Sequence, residues 1–227
     1  MDTVTNDTKS NRQHLEDAIK ETVEADLNIR ENVRRITLKA LSDGKLDLDE
    51  ITQVTSSVVK GAGLGASIHG REGQDKLANA VAGLDDALCS AAEASKLAVE
   101  EASSHVKKFS KQDLQHAIND LSELETMYLD TLKDVAKETS ETVSETLNDL
   151  VRHGRLSGTA IGQKATETAK LLNYQLSERL SETVSAGVDS ASKVTSNLAY
   201  AAAGFLDAIA QKLDEKLASK SSDNKHK

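Results

Sequence analysis

The chain has 227 residues, 38% of them hydrophobic, with no proline, no tryptophan and only five aromatics: Phe109, Tyr128, Tyr174, Tyr200 and Phe205. Proline breaks helix interiors, so its absence favours long uninterrupted helices, and the shortage of large rings excludes a deep globular core in favour of a thin one of Leu, Val, Ile and Ala. The net charge of -9, from 28 basic and 37 acidic residues, argues against nucleic acid as a partner, and the single cysteine, Cys89, excludes an intrachain disulfide.

Residues 1–10, "MDTVTNDTKS", read as a polar tail that lacks the apolar core of a signal peptide. Leu15, Ala18, Ile19, Val23, Leu27, Ile29, Val33 and Ile36 then fall mostly at helical spacing and predict a helix from near Asn11 to about Leu41. A turn at 42–46 leads into a second helix, giving an N-terminal helical pair over 11–60. The turn lies in "SDGKLDLDEI", Ser42 to Ile51, which matches the second half of a calcium-binding loop, with Asp43, Gly44, Asp47 and Glu50 at its fifth, sixth, ninth and twelfth positions. The first and third positions fall on Lys39 and Leu41, and a lysine repels the ion. The simpler reading is a turn in which Gly44 ends one helix and Asp47 caps the next, with Glu50 three residues on.

The run "GAGLGASIHGREG", Gly61 to Gly73, predicts a loose joint over 61–73. It lacks both the Gly-Lys-Ser/Thr ending and the preceding strand of a phosphate-binding loop. Beyond it, 74–218 reads as a long-helix region. "DKLANAVAGLDDALCSAAEASKLAVEEASSHVKKF" is helical, and Cys89 within it has no base implied by spacing, so it reads as a small, partly buried helix residue. "SKQD" makes Ser110 a candidate cap for the next helix. The histidines, His14, His69, His105, His116, His153 and His226, form no Glu-x-x-His pair and read as solvated surface residues; one cysteine leaves no zinc motif. The sequence offers no catalytic residue, no cofactor-binding residue and no metal ligand.

Between Leu114 and Leu213 apolar residues recur every eleven positions. "KATETAKLLNY", "QLSERLSETVS", "AGVDSASKVTS", "NLAYAAAGFLD" and "AIAQKLDEKLA" are consecutive elevens. Three phases, passing through Ala165, Ala169 and Ile161, give 28 positions, of which 22 are apolar, three are glycine (Gly154, Gly158, Gly187) and three are polar (Glu125, Thr139, Thr183). The overall hydrophobic share would supply about eleven. A strict eleven drifts by about 20° per repeat on a straight helix, about half a turn over nine repeats, so a stripe that holds its phase implies slight right-handed supercoiling or a series of shorter helices that each face a partner. Its strongest members, Leu172, Leu176, Leu180, Val194, Leu198, Phe205, Ile209 and Leu213, form a candidate interaction stripe. It can bury against helices of the same chain, against a second copy, or on an apolar surface such as lipid or a storage granule. Gly154, Gly158 and Gly162 stand four apart and mark either a close helix approach or a bend at 154–162; the comparable lengths of 111–153 and 163–218 favour a helical hairpin. Residues 219–227 read as a second polar tail.

These elevens, with no proline, few aromatics and much Ala, Thr, Ser, Lys and Glu, resemble late-embryogenesis-abundant proteins and bacterial phasins over about half the chain. The phasin likeness implies granule-surface binding and self-association without catalysis. The sequence therefore predicts an all-α protein, an elongated helical bundle or long antiparallel hairpin with eleven-residue periodicity. The expected work is structural or interactive, by self-association or as a coat on lipid or granules. No stretch approaches the roughly 20 apolar residues of a membrane span, and a cytoplasmic location is expected.

Overall fold

A computed structural model of the protein describes residues 2–43, 46–104, 111–181 and 199–211. The fold is all-α: seven helices pack against one another as a bundle, and the described residues contain no strand. They are α1 (Asp2–Ala25), α2 (Ile29–Ser42), α3 (Leu48–Ser67), α4 (Glu72–Ser104), α5 (Lys111–Ala136), α6 (Glu141–Ser157) and α7 (Ala160–Ser181). Residues 199–211 are helical as well.

The 33-residue α4 touches all six other helices. Its buried positions are mostly small: Ala80, Ala87, Ala91, Ala92, Ala94, Ala98 and Ala102, with Leu77, Leu84 and Leu88 between them. A helix that is apolar around much of its circumference is buried, and alanine lets its neighbours come close. The thin core of small aliphatics expected from composition is thus arranged around one central helix.

Four boundaries differ from the sequence expectation. Residues 2–10, expected as a tail, belong to α1. The single helix expected over 11–41 is two, broken at 26–28, where Asp26 and Asn28 adopt left-handed backbone with φ of 55° and 49°. The Asn32 amide donates to the Leu27 carbonyl at 2.7 Å, and Lys76 pairs with Asp26 at 2.7 Å. The apolar spacing slips here: Leu27 is 69% exposed, whereas Ile29, two residues on, is buried.

The joint expected over 61–73 is mostly helix. α3 continues to Ser67, and only 68–71 is turn. Gly61 and Gly65 lie one turn apart against the α1 backbone, where a Cβ at Gly65 would sit 2.6 Å from the Lys20 carbonyl oxygen and one at Gly61 would strike the Glu16 carbonyl. These glycines set how closely α1 and α3 approach, a use that outweighs their low helix propensity. Before α3, Asp47 caps the helix, its carboxylate accepting the Glu50 N–H at 3.0 Å. Ser110, Gly44 and the tail over 219–227 lie outside the described residues.

The fourth difference lies in the long-helix region. The reversal of direction falls at 137–140, between α5 and α6, not at 154–162. α6 and α7 are separated at Gly158–Thr159 but do not pack on each other; both lie along α5. Arg155 pairs with Asp130, Thr159 with Glu125, and Asn173 with Gln115, so each step forward along α6 and α7 is a step back along α5. Two successive helices therefore form one antiparallel rail beside α5.

Gly65→Ala is expected to lower the thermal midpoint by several degrees, because overpacking costs about 1–3 kcal/mol. Gly204 is exposed within the 199–211 helix, and an alanine methyl there would meet nothing within 4 Å, so Gly204→Ala is expected to raise the midpoint slightly. Thermal unfolding followed by far-UV circular dichroism checks both signs.

Candidate interaction stripe and polar junction

The described part of the stripe faces inward. Leu172 is 2% exposed, while Phe205 and Ile209 are half-buried against the core. The side chains of Leu176 and Leu180, and all of Val194, Leu198 and Leu213, lie outside the described residues. Earlier members of the same three phases, including Leu121, Leu132, Val143, Leu147, Ile161, Ala165 and Ala169, are also buried. In this region the stripe packs within its own chain.

The polar interruptions in the stripe mark a site. Glu125, half-buried on α5, accepts the Thr159 N–H at 2.9 Å and the Thr159 hydroxyl at 2.8 Å. From α4, Asp85 accepts the N–H of Ala160 at 3.2 Å and of Ile161 at 3.0 Å. The Thr159 hydroxyl oxygen accepts the Gly162 N–H at 2.9 Å. A helix start leaves its first N–H groups without intrahelical partners; here carboxylates from two other helices supply them. Each glycine of the trio has its own reason. A Cβ at Gly154 would lie 2.8 Å from Leu129, Gly158 has φ 76° and ψ 161°, and a Cβ at Gly162 would strike the Glu125 carboxylate.

Around this junction α4 carries three acids that each tie a different partner. Asp85 holds α7. Asp86 takes two bonds from Arg30 of α2, at 2.7 and 2.9 Å, which raise the guanidinium's already high pKa. Glu93 pairs with Lys164 of α7 at 2.5 Å and with Lys96 at 3.3 Å. The Lys164 hydrogen bond holds the Glu93 carboxyl below the usual glutamate value. Burial pushes Asp85 above the aspartate value, the N–H groups of Ile161 and Ala160 pulling the other way.

Cys89 lines an open groove with Arg34, Asp86, Ser90, Glu93 and Ile209. Burial, reinforced by Asp85 and Asp86, pushes its thiol up to about 12, so it stays protonated at neutral pH and is a poor nucleophile. A second, mostly apolar cavity of about 50 Å³ lies among α3, α4, α5 and 199–211, with Asp120 at its edge. It is small beside the several hundred Å³ of an ordinary ligand pocket. Burial and then Glu123 push the Asp120 carboxyl up. Among the described residues no group of three or more His, Cys, Asp or Glu is placed to hold a metal ion, and no helix is long and apolar enough to cross a membrane. His14, His116 and His153 are exposed and His69 is half-buried; His105 and His226 lie outside the described residues.

Sequence reading missed Asp85, Asp86, Glu93 and Lys164, because an acid on a helix that touches all its neighbours has no local signature. Glu125 did leave one, as a charge on an otherwise apolar phase.

Asp85→Ala is expected to cost about 1–2 kcal/mol by removing the acceptor of two N–H groups at the start of α7, and Asp85→Asn less, since a neutral amide oxygen accepts them more weakly. For Glu93 the lowered carboxyl fixes the sign. Its contribution is present above the unfolded glutamate value and lost as pH falls through the folded one. Because the pair is partly exposed, Glu93→Gln should cost less than about 1 kcal/mol at pH 7, and the gap should close on acidification. Urea unfolding of each variant between pH 7 and pH 3 measures both.

No curated protein and no solved structure matches the chain. Residues 5–215 match a family described as "Family of unknown function (DUF6781)", and with nearly the whole chain covered, the protein belongs to that family.

Proposed function

We propose that the protein is a non-enzymatic structural or interaction protein that self-associates through its amphipathic helices. The observation that carries this reading is that large apolar side chains stay exposed outside the core. Leu171 on α7 is 42% exposed beside the buried Leu172, and Tyr200 on the 199–211 helix is 56% exposed. The acids and bases near the junction support it, because they tie helix to helix, Arg30 to Asp86, Lys164 to Glu93 and the Ile161 N–H to Asp85. Cytoplasmic residence and the absence of nucleic-acid partners belong to the same proposal, the second resting on the net negative charge.

The alternative is a phasin-like coat on a lipid or storage-granule surface. It draws on Leu156, 81% exposed at the end of α6, and on Leu64 and Ile68, exposed one turn apart along α3 and its end. Because the described stripe is internal, a coat that uses its coiled-coil-like eleven-residue seam requires the bundle to open.

Sedimentation and light scattering over a range of concentrations test the first reading. An oligomer is expected, with Leu171→Glu/Tyr200→Glu weakening association at least tenfold while leaving the thermal midpoint within a few degrees; a monomer at high concentration rules it out. Circular dichroism with and without neutral vesicles tests the alternative, which fails if helix content is complete in buffer and vesicles neither change it nor retain the protein.

A further inference from the structure

α6 and α7 carry the marks of one helix held open. Placed on a single straight helix at 100° per residue, their buried positions Val143, Leu147, Val151, Gly154, Ile161, Gly162, Ala165, Thr168, Ala169 and Leu172 share a sector about 120° wide. Two helices joined by an arbitrary turn have no need to agree in phase. These two do, and they also share α5 as a partner without packing on each other. No proline stands between them to forbid continuity.

What occupies the break is polar. In a continuous helix the N–H groups of Thr159, Ala160, Ile161 and Gly162 would donate to the carbonyls of Arg155, Leu156, Ser157 and Gly158. They donate instead to Glu125, to Asp85 and to the Thr159 hydroxyl. The two sets of bonds are mutually exclusive. Gly158 supplies the backbone that separates them, in a region of positive φ with extended ψ that is close to glycine-only.

We propose that Asp85 and Glu125 form a carboxylate wedge, and that neutralising them reseals α6 and α7 into one continuous helix along α5. The wedge competes with backbone carbonyls for the same donors, and it does so best while charged. A neutral carboxyl accepts these N–H groups less strongly, while the helix carbonyls are unaffected. Acidification therefore shifts the equilibrium towards the sealed form. The direction is consistent: burial already favours protonated Asp85, and in the sealed form, without its two N–H donors, it would bind its proton more tightly. Its charged and titratable surroundings are Asp86 and Cys89 on α4, Arg30 on α2 and Tyr128 on α5. Glu125 shares its groove with Asp130 and Arg155, which pair with each other. Sealing moves the start of α7, and with it Lys164 and the exposed edge at Leu171. The wedge would thus couple local charge to the surface α7 presents.

The test uses the full chain and backbone NMR. In the wild type at pH 7, Gly158 and Thr159 should give non-helical carbon shifts. In Asp85→Asn/Glu125→Gln, the shifts from Gly158 to Ile161 should become helical and amide exchange at Thr159–Ile161 should slow at least about tenfold. Gly158→Ala approaches the same state through the backbone alone: it should seal the helix with both carboxylates present and raise the carbon-detected titration midpoint of Asp85. Non-helical shifts in the neutral double variant overturn the proposal, since the break would then be set by glycine or packing. Loss of the helical spectrum in that variant also counts against it, because the carboxylates would then be required for the fold itself. A sealed Gly158→Ala with no change in the Asp85 midpoint removes the charge coupling.

Discussion

Close approach between helix backbones is the constraint on which this bundle depends. A chain with five aromatics cannot fill wide gaps with rings, so its helices must meet over alanine and glycine. α4 shows the consequence most plainly: alanines on several sides let it lie against all six neighbours. Gly61 and Gly65 do the same for α1 and α3, and Gly83 for α2, where a Cβ would strike the Arg30 carbonyl. Each glycine gives up about 1 kcal/mol of helix propensity. Contact along the whole crossing offsets it, since close-packed atoms gain dispersion that a gap would forfeit.

Thin contacts leave more work to polar ties. Among the described side chains, the fully buried large residues through which α7 docks are Ile161 and Leu172, the rest of its buried face being Ala165, Ala169, Thr168 and Gly162. Two such side chains supply about 1.5–3 kcal/mol each. The five hydrogen bonds at its start, four of them to carboxylates, are of comparable total size even after the cost of burying Asp85 is set against them. Removal of a carboxylate and removal of a leucine therefore belong to the same range of effect here, which is unusual for a helical bundle with a larger core.

Much of this architecture was legible in the sequence, and the illegible parts share a cause. Helix class, the inward stripe and the Asp47 cap depend on spacing along one element, and spacing is what a sequence displays. The break at 26–28 was legible too, in the two-residue step from Leu27 to Ile29, but six other helically spaced residues outvoted it. Gly61 and Gly65 were misread because glycine signals flexibility unless the partner backbone is known. The positions of Asp85, Asp86 and Glu93 against three different groups follow from which helices surround α4, and a one-dimensional pattern does not contain that. Glu125 stands between the two cases: its misfit was visible, and its donor was not.

The buried faces of α5, α6 and α7 share a geometric setting that does not require one long helix. α5 runs one way, and α6 followed by α7 runs back beside it, with the pairs Asp130–Arg155, Glu125–Thr159 and Gln115–Asn173 advancing in step. A face that must stay against the same rail over that distance has to repeat with the helix's own period. Eleven residues in three turns is a closer approximation to that period than seven in two. The interruption at Gly158–Thr159 would ordinarily reset the phase. It does not: the buried positions on both sides of the break keep to one sector, and both helices pack on α5 and α4.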